Sequence, residues 1–329
     1  MNSPIKAVFA MAVALSAASG AAWAESTKVR LGMLPLALHQ LPVMVAQENG
    51  YFADEGLEVE FTFFRGGSEV APALINADID VAQGVMAHPI KLLRKGLKTK
   101  ILVLTQATPT FVLTVAKRHA DIKDVADFKG RDFTFAIARR GSDSDMMMRS
   151  VLAWKELDPK SDVTLVAVPG YANHLVAMQQ GDVDGAMILQ PFAEIGRRKG
   201  DLEYLVDFAG GDGPVELRAR PWTSLYVSDE FYAENREICA RVVRAVVKGH
   251  KLIHDDLDAA TAVALKYFPK YEEAVLKSVI SGSLGAYSPE ISEQRFKAEN
   301  EYLLFGGIID EAQSYDALVG KEMESLWAM

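Results

Sequence analysis

Gly67-Ser68 and Gly141-Ser142 each set a hydroxyl and free backbone N–H groups at the start of an expected helix. That combination either caps the helix or holds an anion. Asp143 and Asp145 follow the second pair and already answer the dipole of their helix, so an anion there needs added positive charge. Arg139 or Arg140 can supply it by bidentate contact with a carboxylate or sulfonate. Neighbours at a strand end point opposite ways, so one of the two faces inward. His39, close to Pro35 and Gln40, can donate to the same anion. Tyr171 and Asn173 offer a flat face and an amide. Phe111, Tyr171 and Trp222, the last followed by Thr223, can form a platform for a ring.

Other chemistry finds little support. Of the six histidines only His250 and His254 lie four apart, beside Asp255 and Asp256, and they read as a solvated helix end rather than metal ligands. No metal and no cofactor are expected. The single cysteine, Cys239, shares a helical apolar spacing with Val242, Val243, Val246 and Val247, which makes it a packed thiol. There is no Gly-x-Gly-x-x-Gly after a strand, no phosphate-binding Gly-x-x-x-x-Gly-Lys-Ser/Thr and no Gly-x-Ser-x-Gly. The chain is not expected to be an enzyme.

The 329 residues are half apolar, enough for two cores, and carry 35 Lys and Arg against 44 Asp and Glu for a net charge of -9. With no basic run, nucleic acid is not an expected partner. Residues 1–24 place Lys6 before an apolar run from Ala7 to about Ala18 and end on Ala22-Trp23-Ala24, the pattern of a cleavable export signal. Cleavage before Glu25, with no cysteine there to lipidate, predicts a soluble periplasmic protein.

The elements that must position these residues alternate. Strands are expected at 29–33, 57–64, 80–83 and 100–105, with helices at 41–49, 69–76 (capped by Ser68) and 88–95 between them. A second series has strands at 111–116, 133–138, 163–168, 185–189 and 202–207, with helices at 122–128, 143–156, 172–180 and 192–198. A strand at 225–228 follows, then helices at 233–254, 257–267, 272–280, 292–304 and 315–323. The series rhyme: residues 73–82 and 175–186 each run from a helix through Asp-x-Asp into a strand. This predicts an α/β fold of two lobes, each a mostly parallel sheet flanked by helices, with a ligand cleft between them. Residues 25–108 and 223–329 make lobe one and 109–222 lobe two. Ligands sit beyond the carboxyl ends of strands in such sheets, which selects loops 34–40, 66–68, 84–86, 139–142, 170–174 and 190–191.

The run Leu41 to Glu60, a helix followed by Gly-Tyr-Phe, an acidic residue and Gly-Leu-x-Val, carries a family likeness. Asp78-Ile79-Asp80, Val125 to Gly130, Gly141-Ser142 and Gly181 to Ala186 before Pro191 extend it over the mature chain. The sequence resembles the periplasmic substrate-binding proteins of ABC importers, in the nitrate/sulfonate/taurine group related to pyrimidine-precursor synthases. The resemblance implies the two-lobed type II binding-protein fold and ligand contacts at Pro35, Leu36, His39, Ser68, Val85, Gly141, Ser142 and Gln190. The strand-end loops and the two crossings add Gln40, Gly67, Met86, Arg139, Tyr171, Asn173, Trp222 and Thr223. It further implies a monomer that captures a small organic anion (an alkane or aromatic sulfonate, or an aromatic carboxylate) and delivers it to the transmembrane subunits of an ABC permease. A desulfinase or pyrimidine synthase on the same fold is the enzymatic alternative, and a ligand sensor for a membrane receptor would share every feature above. Ala77, where relatives often have Gly, and Arg139-Arg140 depart from the family pattern.

Overall fold

The computed structural model describes residues 26–64 and 67–329, so the export signal expected at 1–24 lies outside the described residues, as does Gly66. Strands β1 (Thr27–Met33), β2 (Leu57–Phe63), β3 (Val81–Val85) and β4 (Thr99–Gln106) precede β5 (Phe111–Ala116), β6 (Phe133–Ile137), β7 (Val163–Ala167), β8 (Gly185–Leu189), β9 (Leu202–Asp207) and β10 (Thr223–Ser228). They form two five-stranded sheets, ordered β2-β1-β3-β10-β4 and β7-β6-β8-β5-β9. Within each sheet three strands run parallel (β2-β1-β3 and β7-β6-β8). The fourth strand, β10 or β5, is antiparallel to both its neighbours. That strand is in each case the one the chain enters on arriving from the other sheet, across 107–110 for β5 and across 208–222 for β10. β5 is buried along its whole length and β4 along all but one residue, as continuous apolar strands covered on both faces should be. β2, at an edge, alternates.

The internal rhyme has a shared structural cause. Asp80 accepts the Arg30 backbone N–H at 2.8 Å and Asp184 accepts that of Thr134 at 2.9 Å, each tying the entrance of β3 or β8 to its parallel neighbour, β1 or β6. A guanidinium completes both turns, Arg30 on Asp80 and Arg118 on Asp184. Ahead of each turn the helix ends through a left-handed residue, Gly181 at φ 85° in one lobe and Ala77 at φ 56° in the other.

The C-terminal helices pack on the first lobe and set its cleft loop. Helix Arg236–Asp255 lies so close to helix Leu41–Glu48 that a Cβ on Gly249 would stand 2.1 Å from the Pro42 carbonyl oxygen. Only glycine fits there, and the contact fixes where residues 34–40 leave β1.

Several expected elements shift. Helix Gly67–Ile75 begins one residue before Ser68, so Ser68 sits in its first turn instead of capping it. The helix read over 233–254 breaks at Asn235 into Asp229–Glu234 and Arg236–Asp255. Residues 122–128 keep only a 3-10 turn, Val125–Phe128, and 315–323 splits into Tyr315–Leu318 and the 3-10 segment Lys321–Leu326. Short helices Tyr51–Asp54 and Val215–Ala219 were not expected.

Ala77 tests the turn directly. Left-handed backbone costs an L-residue about 1–2 kcal/mol, and glycine gives back roughly 0.5–1 kcal/mol in chain entropy. Ala77→Gly should therefore raise unfolding free energy by about 0.5–1 kcal/mol in urea titration; a loss of stability would mean that the turn is not strained.

Candidate functional site

The loop after β1 is organised around one buried amide. Gln83 Oε1 accepts the Leu34 N–H at 3.2 Å and the Gln40 amide at 3.3 Å, which leaves Gln83 Nε2 to donate to His39 Nδ1 at 3.1 Å. His39 Nδ1 is thus an acceptor and the ring proton lies on Nε2. Burial pushes the His39 imidazole down to about 4, so it is a neutral donor and not the cation a charged anion seat would use. Gln40 is wholly buried, with Oε1 on the Ala37 N–H and Nε2 on the Leu34 carbonyl. It shapes the loop from behind, while Pro35 and Leu36 reach solvent at the cleft.

Rings pass from this loop across both crossings into the second lobe. His39 meets Trp222 edge-on at 5.2 Å, Trp222 meets Phe111 at 5.8 Å, Phe111 meets Tyr171 at 5.9 Å and Tyr171 meets His174 at 5.3 Å. The three aromatics proposed as a platform therefore come together, with Trp222 and Phe111 buried and Tyr171 half-exposed. Trp222 is held by its backbone: its N–H donates to the Gln106 carbonyl and its carbonyl accepts the Met86 N–H.

The second lobe presents the turn 139–142. Gly141 N–H goes to Asp145, Ala138 N–H to Ser144 Oγ, and the Ser142 hydroxyl to the Arg139 carbonyl. These bonds occupy the donors that a capping reading and an anion reading both invoked at Gly141-Ser142. The two arginines separate clearly. Arg140 bonds the Leu165 carbonyl and lies 3.7 Å from Asp145, whereas the Arg139 guanidinium is exposed with no hydrogen bond or ion pair to a described residue.

Other expected positions fall differently. Val85 is half-buried at the cleft edge, and Gly67 and Ser68 open their helix. Met86 and Thr223 are wholly buried, the latter spending its hydroxyl on Thr105, so both sit behind the cleft wall. Asn173 turns back to the Pro169 carbonyl. Gln190 bonds Tyr204 and the Glu194 N–H, in a separate groove of about 370 Å³ against helix Glu273–Gly282. His250 is no solvated helix end: it is fully buried and bonds the Leu104 carbonyl, while His254 bonds that of Tyr287. Cys239 is buried and its thiol is pushed up to about 12, which removes the thiolate a nucleophile needs. No cluster of metal-ligating side chains occurs among the described residues.

Sequence reading named Asp143 only as answering its helix dipole and missed the cluster by which it joins the lobes. Asp143, first residue of helix Asp143–Trp154, accepts the Trp222 indole N–H at 3.4 Å and the Tyr302 hydroxyl at 3.1 Å, with Arg220 Nη2 at 3.5 Å. Arg220 is buried, stacks over the Tyr302 ring at 3.8 Å and pairs with buried Glu299 at 2.8 Å. Burial pushes the Glu299 carboxyl up and the guanidinium pulls it back down. Gln106, at the end of β4 beside Trp222, is fully buried with neither amide atom partnered among the described residues. Buried amides of that kind are satisfied by ligand or ordered water. Arg220 before Pro221 at a crossing was the only visible signal; Glu299 and Tyr302 gave none.

Comparison with known proteins agrees with this architecture. A model of the NMT1-like family matches residues 22–266. YtlA of Bacillus subtilis (strain 168) is 24% identical over 306 residues, covering 90% of this chain and 89% of YtlA. The periplasmic aliphatic sulphonate binding protein SsuA of Escherichia coli superposes with a TM-score of 0.75 at 17% identity, over 91% of this chain and 99% of that one. The periplasmic nitrate-binding protein NrtA of Synechocystis PCC 6803 gives 0.67 at 15% identity, over 91% and 87%. At these identities the two structures establish the fold.

The buried imidazoles predict a pH effect. Burial lowers His39 and His250 from 6.5 to about 4. The unfolded chain then takes up protons below 6.5 that the folded chain refuses until about 4, so this stability is present above pH 6.5 and is lost as pH falls toward 4. At pH 5 each histidine should cost about 2 kcal/mol relative to neutrality. Urea titrations should show a clear fall between pH 7.5 and 5.0; equal stability at both would mean that neither ring is held neutral.

Proposed function

The chain belongs to the NMT1-like family, and from that premise we propose that it is an extracytoplasmic solute-binding protein. In this reading it captures a small organic anion, an alkane or aromatic sulfonate or an aromatic carboxylate, and delivers it to the permease of an ABC importer. One observation carries the reading. A continuous row of rings, His39, Trp222, Phe111 and Tyr171, runs from one lobe to the other, and the exposed Arg139 guanidinium, near enough to the Tyr171 end to lower its phenol, has no partner among the described residues. An aromatic or alkyl body would pack on the half-exposed Tyr171, which the buried rings behind it hold in place, while its acid group meets Arg139. A ligand touching both lobes stabilises the closed arrangement by its differential contacts, which is the signal a permease reads. The ligands named for SsuA and NrtA are anions as well, which supports the class. Nitrate suits this cleft least, because so small an ion leaves the rings unused. Export to the periplasm follows from residues 1–24 and is part of the same proposal.

Calorimetric titration of the mature protein with alkanesulfonates, benzenesulfonate, benzoate, taurine, nitrate and pyrimidines tests it. Organic sulfonates or aromatic carboxylates should bind, and Arg139→Ala should weaken them about tenfold or more, as loss of a charge-assisted hydrogen bond does. The ligand-free melting temperature of the variant should stay unchanged. Unaltered affinity in Arg139→Ala, or conversion of the added compound to product, would overturn the reading.

A further inference from the structure

The cleft carries two fixed charges of opposite sign. Arg139 is one, exposed and unpaired among the described residues. Asp143, four residues on across the Gly141 turn, is the other, with its side chain 27% exposed. Its carboxylate is only partly neutralised by the arginine it meets, because Arg220 is shared with Glu299 at the shorter distance of 2.8 Å. Two of its three contacts, Trp222 Nε1 at 3.4 Å and Arg220 Nη2 at 3.5 Å, are long, so lone pairs remain for a further donor. The ring row runs beside both charges. Trp222 touches Asp143 directly, and the half-exposed Tyr171 phenol, raised by burial first, is raised further by Asp143 and lowered by Arg139. A plain acid seated beside Tyr171 would therefore meet, in Asp143, one of two carboxylates that share a single arginine.

We propose that the cleft selects a ring compound bearing both an acid group and an N–H donor, with the acid facing Arg139 and the donor facing Asp143. This deepens the solute-binding reading and rests on it. Asp143 is then the residue that sets specificity: it rewards ligands that bring a donor and disfavours those that bring only negative charge.

Matched pairs separate the inference from its premise. Benzoate against 4-aminobenzoate and benzenesulfonate against 4-aminobenzenesulfonate are titrated into the wild-type mature protein and into Asp143→Asn. In the wild type the amino member of each pair should bind about tenfold tighter, the gain from a hydrogen bond to a charged acceptor. In Asp143→Asn the plain acids should gain affinity and the amino advantage should shrink to about threefold or less, as it must once the acceptor is neutral. Plain acids binding as tightly as their amino partners in the wild type would overturn the inference and leave the anion-binding reading intact. An amino advantage that survives Asp143→Asn at full strength would remove Asp143 from the role. Failure of every ring acid to bind would overturn the inference, and failure of the alkanesulfonates as well would overturn the solute-binding reading with it. The wild-type comparison needs no variant, so instability of Asp143→Asn would not blunt the test.

Discussion

The chain has to pass between its two sheets twice, and both passages run side by side through one narrow seam. The backbone of the second is bonded to that of the first where Trp222 donates to Gln106, and Phe208 donates to Phe111 at 3.4 Å. Because each passage ends in a strand driven antiparallel into the middle of the receiving sheet, the seam is locked at both ends by ladder hydrogen bonds. Everything at the cleft inherits its position from this. Trp222 and Phe111 are the residues that open the two inserted strands or stand just before them, so their rings meet there. The cleft loops of both lobes lie at the carboxyl ends of the parallel strands on either side.

Around that seam directed polar contacts join the lobes beside the buried apolar cluster that both share. Glu194 of the second lobe accepts the Ser278 hydroxyl at 2.8 Å, Arg198 donates to the Ala274 carbonyl at 3.0 Å, and Asp143 draws on Trp222, Tyr302 and Arg220. Such bonds can exchange for water when lobes part, whereas a wide apolar interface would resist opening. The buried Arg220–Glu299 pair is different: stripping one partner from a buried ion pair costs about 3–5 kcal/mol. That fixes the guanidinium in place, where Asp143 of the second lobe meets it at 3.5 Å.

Legibility in the sequence followed physical cause. β5, β8 and β9 could be read to the residue: β5 and β8 are buried runs of mainly apolar residues, and the half-buried edge strand β9 is marked by Gly200-Asp201 before it. The paired Asp-x-Asp turns were visible for the same reason: each needs an acid one strand-start from a backbone N–H. Helix caps and breaks were read less well. Nothing in 233–254 marks Asn235 as a break, since apolar periodicity continues through it, and Val215–Ala219 is held by packing against helix Glu293–Phe305, far along the chain. Of the site, the rings and the two arginines could be named, but not which arginine was free. That was decided by the Leu165 carbonyl, which captures Arg140. The Asp143, Arg220, Glu299 and Tyr302 cluster joins residues 77 to 159 positions apart and could not be read locally.

Closure upon a ligand that spans both lobes is the heart of this picture, and small-angle X-ray scattering of the mature protein measures it most directly. Recorded without ligand and with saturating aromatic acid, the radius of gyration should contract on binding, and the contraction should be weaker in Arg139→Ala at the same ligand concentration. An unchanged radius with a ligand shown by calorimetry to be bound would contradict a cleft that closes on its cargo.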